Sequence, residues 1–217
     1  MKTVQLYSLT AFAAWFLVLA APAQNTSYAT AMRKTVAMLD SAKTASAFSK
    51  AATAFEKVGQ EHKAEWLPVY YTALCNVLVA FEKKGAEIDT WCDKAEKQIA
   101  RADSLSKNNA EICVLRALVA SARIQVNKTT RGQKYGGQAY KWAEEAIKLD
   151  AANPRAYLQK ATAIYYTPAT VGGGSKKAKP VFEQALEKYN AYKSPSAIHP
   201  HWGKDRVQYF IKQISKN

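Results

Sequence analysis

The chain has 217 residues, of which 31 are Lys or Arg and 17 are Asp or Glu, so its formal charge at pH 7 is +14. With 48% hydrophobic residues it is too apolar for a disordered chain. Its nine Gly, seven Pro and three Cys argue against collagen-like and disulfide-framework classes, which leaves a mostly helical globular protein.

The first residues have the pattern of a secretory signal peptide. Lys2 gives a positive start, Leu9 to Leu19 is apolar, and Ala21-Pro22-Ala23 places small residues two apart, as a signal peptidase requires. We predict a signal peptide over 1–23 and one exported domain over 24–217, in the periplasm or outside the cell. No Cys lies near the cut, so we expect neither a lipoprotein nor a transmembrane anchor after cleavage.

Hydrophobic periodicity and capping residues predict nine helices in the mature chain. Thr167 to Ser175 contains three consecutive glycines and predicts the longest loop. The predicted helices lie near residues 28–42, 44–58, 64–83, 87–105, 109–126, 136–149, 154–166, 176–191 and 202–215.

Four of these helices repeat one pattern, in which the apolar residues are spaced by four and then by three. The sets begin 44, 44 and 39 residues apart, and a further small residue recurs every 44 residues at Ala73, Ala117 and Ala161. Such spacing marks one helix face, and small residues there let a neighbouring helix approach closely. The sequence therefore predicts a helical hairpin repeated along the chain. The four sets are Ala51, Phe55, Val58; Ala95, Ile99, Ala102; Ala139, Ala143, Ala146; and Ala178, Phe182, Ala185.

The repeat resembles the tetratricopeptide repeat (TPR) family, most closely from Ala143 to Ala161, which reads AEEAIKLDAANPRAYLQKA. In that family, 15 residues separate the last small residue of one unit from the first-helix small residue of the next, as Val58 and Ala73 do here. The resemblance implies an all-α, TPR-like superhelix (α-solenoid) of about three to four repeats with a C-terminal capping helix. Each unit is longer than the family's, so we expect an extended first helix or following loop.

Four short segments are also similar to exported TPR proteins of Gram-negative bacteria. They are WLPVYY from Trp66 to Tyr71, Asn153-Pro154-Arg155, Pro168 with Gly172-Gly173, and Trp202-Gly203. This similarity indicates a family without indicating a chemistry.

In TPR-like arrays the first helices line a concave groove that holds a peptide. The exposed groove positions predicted from the register carry Tyr and Arg, which anchor a partner well because they bury area and keep a polar tip. The alternative is that the tyrosines belong to the core between repeats. The groove candidates are Tyr70, Tyr71, Glu111, Arg155, Gln159 and Tyr165.

The connections from first to second helix carry lysines and an arginine, which predicts a basic edge if every unit turns alike. Such an edge would attract anionic partners such as acidic proteins or polyanionic glycans and lipid head groups. Solvated lysines without a partner are the alternative. The basic-edge candidates are Lys83, Lys84, Lys128, Arg131, Lys134, Lys176 and Lys177.

No catalytic motif is legible, so we expect no enzyme, no cofactor and no metal site. His199-Pro200-His201 supplies two imidazoles, whereas a protein metal site needs three or four convergent ligands. No nucleic-acid recognition element is present. We predict an exported scaffold that binds an unidentified protein or peptide in its groove, with binding of envelope polyanions at the basic edge as the alternative.

Overall fold

The computed structural model describes residues 22–216, so nearly all of the predicted signal peptide lies outside the described residues. The described part is helical and contains no strand. None of its helices is both long enough and apolar enough to cross a membrane. The helices are α1 Pro22–Ser41, α2 Ala45–Glu61, α3 Trp66–Phe81, α4 Ala86–Leu105, α5 Ala110–Ile124, α6 Lys128–Leu149, α7 Pro154–Tyr166, α8 Ser175–Ala191 and α9 Lys204–Ile214.

Consecutive helices pack against one another as hairpins, and α9 packs on α8 at the C-terminal end. The first helices of successive hairpins also touch, since α3 contacts α5 and α5 contacts α7. These three helices therefore form the inner layer of a solenoid-like stack. The predicted all-α architecture of helical hairpins is confirmed.

The predicted repeat register matches the core. Ala73, Ala117 and Ala161 are fully buried on α3, α5 and α7. All members of the four spaced sets on α2, α4, α6 and α8 are buried as well. Small side chains at these positions let the helix backbones approach, and the larger Phe55 and Phe182 fill the space beside them.

Helix α6 is the main departure from the predicted elements, because it begins at Lys128 rather than near residue 136. Gly132, Gly136 and Gly137 lower the helix propensity of its first half, which obscured that half in the sequence. The Asn127 side chain caps the helix by accepting a hydrogen bond from Thr130 N at 3.0 Å. Arg131 then ties the first turn to α4 through Asp89, at 2.8 Å.

The extra residues of the first two units are not where the sequence suggested. In the first two units they lengthen the second helices, α4 and α6, which have 20 and 22 residues. In the third unit they form a connection with a short 3₁₀ turn at Ala169–Val171. The prediction of longer first helices or loops is therefore wrong for the first two units.

A buried polar network joins the inner helices. Glu111 of α5 accepts hydrogen bonds from Tyr70 of α3 at 3.0 Å and from Arg155 Nε of α7 at 2.8 and 3.0 Å. Asn153, the N-cap of α7, donates to the same carboxylate at 2.6 Å. Burial alone would lower the pKa of Arg155, but the Glu111 carboxylate outweighs it and raises that pKa.

Residues 192–203, between α8 and α9, run back across the inner layer, and we call them the return segment. Trp202 Nε1 donates to Tyr70 Oη at 2.9 Å, and Tyr71 Oη donates to the Ile198 carbonyl at 3.0 Å. Trp202 packs against three of the hydrophobic clusters of the core. The return segment therefore ties the C-terminal end of the stack to α3.

Removing one partner of the buried ion pair should destabilise the fold strongly. Glu111→Leu leaves the Arg155 guanidinium buried without its counterion, and we expect a loss of about 3–5 kcal/mol in the free energy of unfolding. The measurement is denaturant unfolding followed by circular dichroism.

The control is Glu87→Gln, which breaks the exposed Lys83–Glu87 pair of 3.0 Å. We expect that variant to lose about 1 kcal/mol or less. Similar losses for the two variants would contradict a central role for the buried pair.

Candidate functional site

The concave side of the stack contains a large cavity of about 2000 Å³. This exceeds the roughly 300–1,000 Å³ of ordinary small-molecule sites. Side chains three or four residues apart on the inner helices line it, because that spacing keeps them on one helix face. They are Leu74 and Leu78 of α3, Leu118 and Ser121 of α5, and Gln159 and Thr162 of α7. The first half of α6, the connection after α7, and the beginnings of α8 and α9 form the other walls.

Apolar side chains are exposed to this cavity rather than packed. Eight large apolar side chains are exposed in the described chain, and four of them line it, namely Phe81, Tyr140, Tyr166 and Val171. Tyr166 and Val171 are 63% and 71% exposed. Exposed apolar groups gathered in a concavity mark a ligand site more often than a free surface.

Part of the cavity wall formed by α6 has no side chains. Gly132, Gly136 and Gly137 line the cavity, and a Cβ built on any of them would meet no atom within 4 Å. Packing in the folded protein therefore does not require glycine at these positions. A glycine in a helix costs about 0.5–1 kcal/mol relative to alanine. The wall thus exposes helix backbone to the cavity at a cost in stability.

More cationic side chains than carboxylates line the cavity. Five cationic side chains and two carboxylates, Asp40 and Asp205, line the cavity. The cations are exposed and come from the beginnings of three helices. They are Lys128 of α6, Lys176 and Lys177 of α8, and Lys204 and Arg206 of α9.

One imidazole lies in the cavity wall, that of His201 in the return segment. Its Nδ1 is 3.2 Å from the His199 carbonyl oxygen, and its Nε2 is 3.2 Å from Asp40 Oδ2 on α1. Asp40 also lines the cavity, and both side chains are about half exposed. This contact fastens the return segment to α1 at the edge of the site.

Most of the predicted groove residues are not exposed. Tyr70, Glu111 and Arg155 are buried in the polar network, since the first helices stack closely enough for their polar side chains to pair with one another. Tyr71 and Gln159 are also largely buried, at 2% and 4% exposure, although their edges line the cavity. The expectation of exposed positions is wrong for these five residues.

The structure gives Tyr71 and Tyr165 packing contacts instead of the exposed groove positions that the sequence predicted. The Tyr71 ring stacks on Phe55, and burial, followed by the charge of Glu111, raises the pKa of its phenol. Tyr165 is half-buried against Phe210 at 5.1 Å and does not line the cavity. Its neighbour Tyr166 faces the cavity instead, because adjacent helix residues point about 100° apart.

The predicted basic-edge residues divide into two groups. Lys128, Lys176 and Lys177 line the cavity. The other four do not: Lys83 and Lys84 follow α3, while Arg131 and Lys134 lie on α6 rather than in a connection. Arg131 is engaged by Asp89, and its hydrogen bond holds the pKa of that carboxyl below the ordinary value.

Three parts of the site were missed from the sequence: the α6 glycines, Trp202 and the exposed Tyr166. The glycines gave a local signal, since three of them precede the Ala139 register set without any proline to end a helix. Trp202 meets Tyr70 across 132 residues, a distance at which a single sequence gives no local signal.

Comparisons with known proteins relate the chain to a solved structure. No protein-family model and no curated protein matches the chain. Among solved structures, the chain is similar to the HusA haemophore from Porphyromonas gingivalis, with a TM-score of 0.81 and 35% sequence identity. The match covers 89% of this chain and 95% of the haemophore. Because it spans nearly the whole of both chains at that identity, the chain belongs to the family of the HusA haemophore.

Proposed function

We propose that this protein is an exported, non-catalytic carrier that binds haem, or a closely related porphyrin, in the cavity of the concave face. The observation that carries the proposal is the large cavity with exposed aromatic side chains in a chain related to a haemophore over nearly its whole length. The predicted signal peptide supports export, to the periplasm or beyond the cell.

The residues of the cavity fit the chemistry of a porphyrin. A porphyrin is a rigid disc with two apolar faces, and aromatic rings such as those of Tyr140 and Tyr166 gain contact area and favourable ring geometry against such a face. The bare backbone of α6 at Gly132 and Gly136 offers a surface on which a disc can lie closely. A rigid ligand and a preformed cavity also reduce the ordering cost of binding.

The charges that line the cavity fit as well. Haem carries two propionate carboxylates at one edge of the ring. Lys128, Lys176 and Lys177, with Lys204 and Arg206, would place positive charge where those carboxylates emerge. Of the predicted basic edge, only Lys128, Lys176 and Lys177 belong to this proposed anion site.

The predicted peptide-binding scaffold is the weaker candidate. The chain's own return segment already covers α3 through the Tyr71–Ile198 and Trp202–Tyr70 hydrogen bonds. The open part of the concave face is a mostly apolar cavity that extends along α3, α5 and α7. A bound peptide would need polar partners for its backbone along that length.

The direct test is absorbance and tryptophan-fluorescence titration of the purified mature chain with haemin and with iron-free protoporphyrin IX. We expect saturable binding of both. Tyr166→Ala and Tyr140→Ala should each raise the Kd about ten-fold, because each removes an aromatic contact worth roughly 1.4 kcal/mol.

The matched control is Tyr209→Ala, since Tyr209 is 58% exposed on α9 and does not line the cavity. It should bind like the parent. Absence of saturable binding of either porphyrin by the parent chain would refute the proposed function, and equal losses in all three variants would refute the cavity as its site.

Gly136→Ala should change stability and affinity in opposite directions. We expect a gain of about 0.5–1 kcal/mol in the free energy of unfolding, because the new Cβ meets nothing in the folded chain. Porphyrin affinity should fall, because the methyl group lifts the disc from the helix. Thermal unfolding and the same titrations measure the two effects.

The control is Thr90→Ala, an exposed position of α4 outside the cavity, which should gain stability with unchanged affinity. Unchanged porphyrin affinity in Gly136→Ala would show that the ligand does not lie on α6.

The double variant Lys176→Gln/Lys177→Gln should lose about 1 kcal/mol or less of binding free energy for protoporphyrin IX per charge removed. The affinity that remains should depend less on salt concentration. Binding of the dimethyl ester, which lacks both carboxylate charges, should not change. Lys83→Gln/Lys84→Gln is the control, since these lysines belong to the predicted basic edge but not to the cavity. If the parent chain binds an acidic glycan and both double variants bind it equally less well, the polyanion alternative is favoured.

A further inference from the structure

We infer that Gln159 donates a hydrogen bond to a carboxylate of the bound porphyrin and thereby fixes which end of the cavity receives the carboxylate edge of the ring. This inference rests on the proposed function and adds the orientation of the ligand. Protoporphyrin IX is polar at the edge that carries its propionates and apolar at the opposite edge. A few well-placed polar groups in an apolar cavity are therefore enough to orient it.

Gln159 is a buried polar side chain without a partner in the protein. It lies on α7, is 4% exposed and lines the cavity. Its carboxamide forms no hydrogen bond with any residue in the described part of the chain. A buried amide that has lost its water and gained no partner destabilises the fold. A ligand that supplies the partner accounts for it.

The repeat shows that packing does not require glutamine at this position. The equivalent residues 44 and 88 positions earlier are Leu115 and Tyr71, and both belong to the hydrophobic core. The Tyr71 hydroxyl has the Ile198 carbonyl as its partner. The first helices α3 and α5 thus place an apolar or a satisfied side chain where α7 has an unsatisfied amide.

The neighbouring hydroxyls of the inner helices cannot take the same role. Thr162 donates to the Leu158 carbonyl at 2.8 Å, and Ser121 donates to the Ala117 carbonyl at 3.0 Å. Each hydroxyl has only one proton, so the two oxygens are left as acceptors. A carboxylate also only accepts, whereas the Gln159 amide has two N–H groups to donate.

The helices next to α7 supply the charge that a carboxylate needs. Helix α8 packs on α7 and brings Lys176 and Lys177 to the cavity. Helix α9 packs on α8 and adds Lys204 and Arg206, together with the carboxylate of Asp205. Hydrogen bonds to an ionised acceptor are stronger than those between neutral groups. Nearby cations also offset the hydration that a carboxylate loses on burial.

The opposite end of the cavity does not favour an anion. Helices α1, α2 and α3 line it mainly with apolar side chains, and the one ionised group that they add is the Asp40 carboxylate, 3.2 Å from His201 Nε2. The carboxylate edge of the ring therefore lies toward α7 and α8, and the apolar edge lies against α3. The apolar residues of this end are Leu39, Phe48, Leu74, Leu78 and Phe81.

The experiment measures the Kd of protoporphyrin IX and of its dimethyl ester at about pH 8, where a glutamate side chain is ionised. Gln159→Met keeps the length of the side chain and removes the donor. It should bind protoporphyrin IX about ten-fold more weakly. The ester should change by less than about three-fold, because its uncharged oxygens accept weaker hydrogen bonds. Gln159→Glu should lose more affinity for protoporphyrin IX than Gln159→Met, because it places like charge beside the carboxylate.

The matched control is Gln133→Met on α6. Gln133 also lines the cavity, but it is exposed, so water satisfies its amide. This variant should bind both porphyrins like the parent. Thermal unfolding without ligand gives a second readout. Gln159→Met should unfold at a higher temperature than the parent, because it removes a buried amide that has no partner.

Four results would overturn the inference. Unchanged binding of protoporphyrin IX by Gln159→Met would exclude the contact, and equal losses for the acid and the ester would show an effect of cavity shape alone. Parent-like binding by Gln159→Glu would show that the ligand presents a donor there instead of a carboxylate. A lower unfolding temperature of Gln159→Met would show that the amide is satisfied in the free protein. Failure of the parent chain to bind either porphyrin would instead refute the proposed function itself.

Discussion

The structure depends on the buried pair between Glu111 and Arg155. These residues are 44 apart, which is the repeat period, so they occupy the same position on successive first helices, each two residues after a capping asparagine. Stacking the helices brings equivalent positions together, and opposite charges there make the stack attractive rather than repulsive. Desolvating both ions is costly. The added hydrogen bonds from Tyr70 and Asn153 offset part of that cost and fix how α3, α5 and α7 align.

The same network determines where the cavity lies. Tyr70 accepts from Trp202, and Arg155 donates to Tyr192 at 3.0 Å, so both ends of the return segment are bound to polar groups of the inner layer. Gly203 follows Trp202 with φ of 108° and lies so close to Tyr189 and Leu158 that a Cβ would clash with both. The segment is thereby held against α3, and the concave space that remains open lies between the inner helices and α6 and α8.

The sequence predicted the parts of the fold that depend on local periodicity. Ala73, Ala117 and Ala161 had the correct register because a helix repeats its faces every few residues, whatever the helix packs against. The same register predicted Glu111 and Arg155 at exposed groove positions, because it carried no information on how closely neighbouring first helices approach. Burial of those two residues depends on partners 41 to 44 positions away. The return segment makes contacts across more than 120 residues, so neither it nor the cavity beside it had a local signature.

The first half of α6 is the place where local preference and structure disagree most. Three glycines weaken a helix that depends on the Asn127 cap and on the Arg131–Asp89 pair to begin where it does. Natural sequences tend to agree with their fold at every level, and departures concentrate at functional sites. Internal packing does not account for the glycines, because the space beside each is open. The glycines leave helix backbone exposed to the cavity at a cost in stability, and the exposed rings of Tyr140 and Tyr166 line the same cavity. A flat ligand lying between this backbone and the rings explains both features.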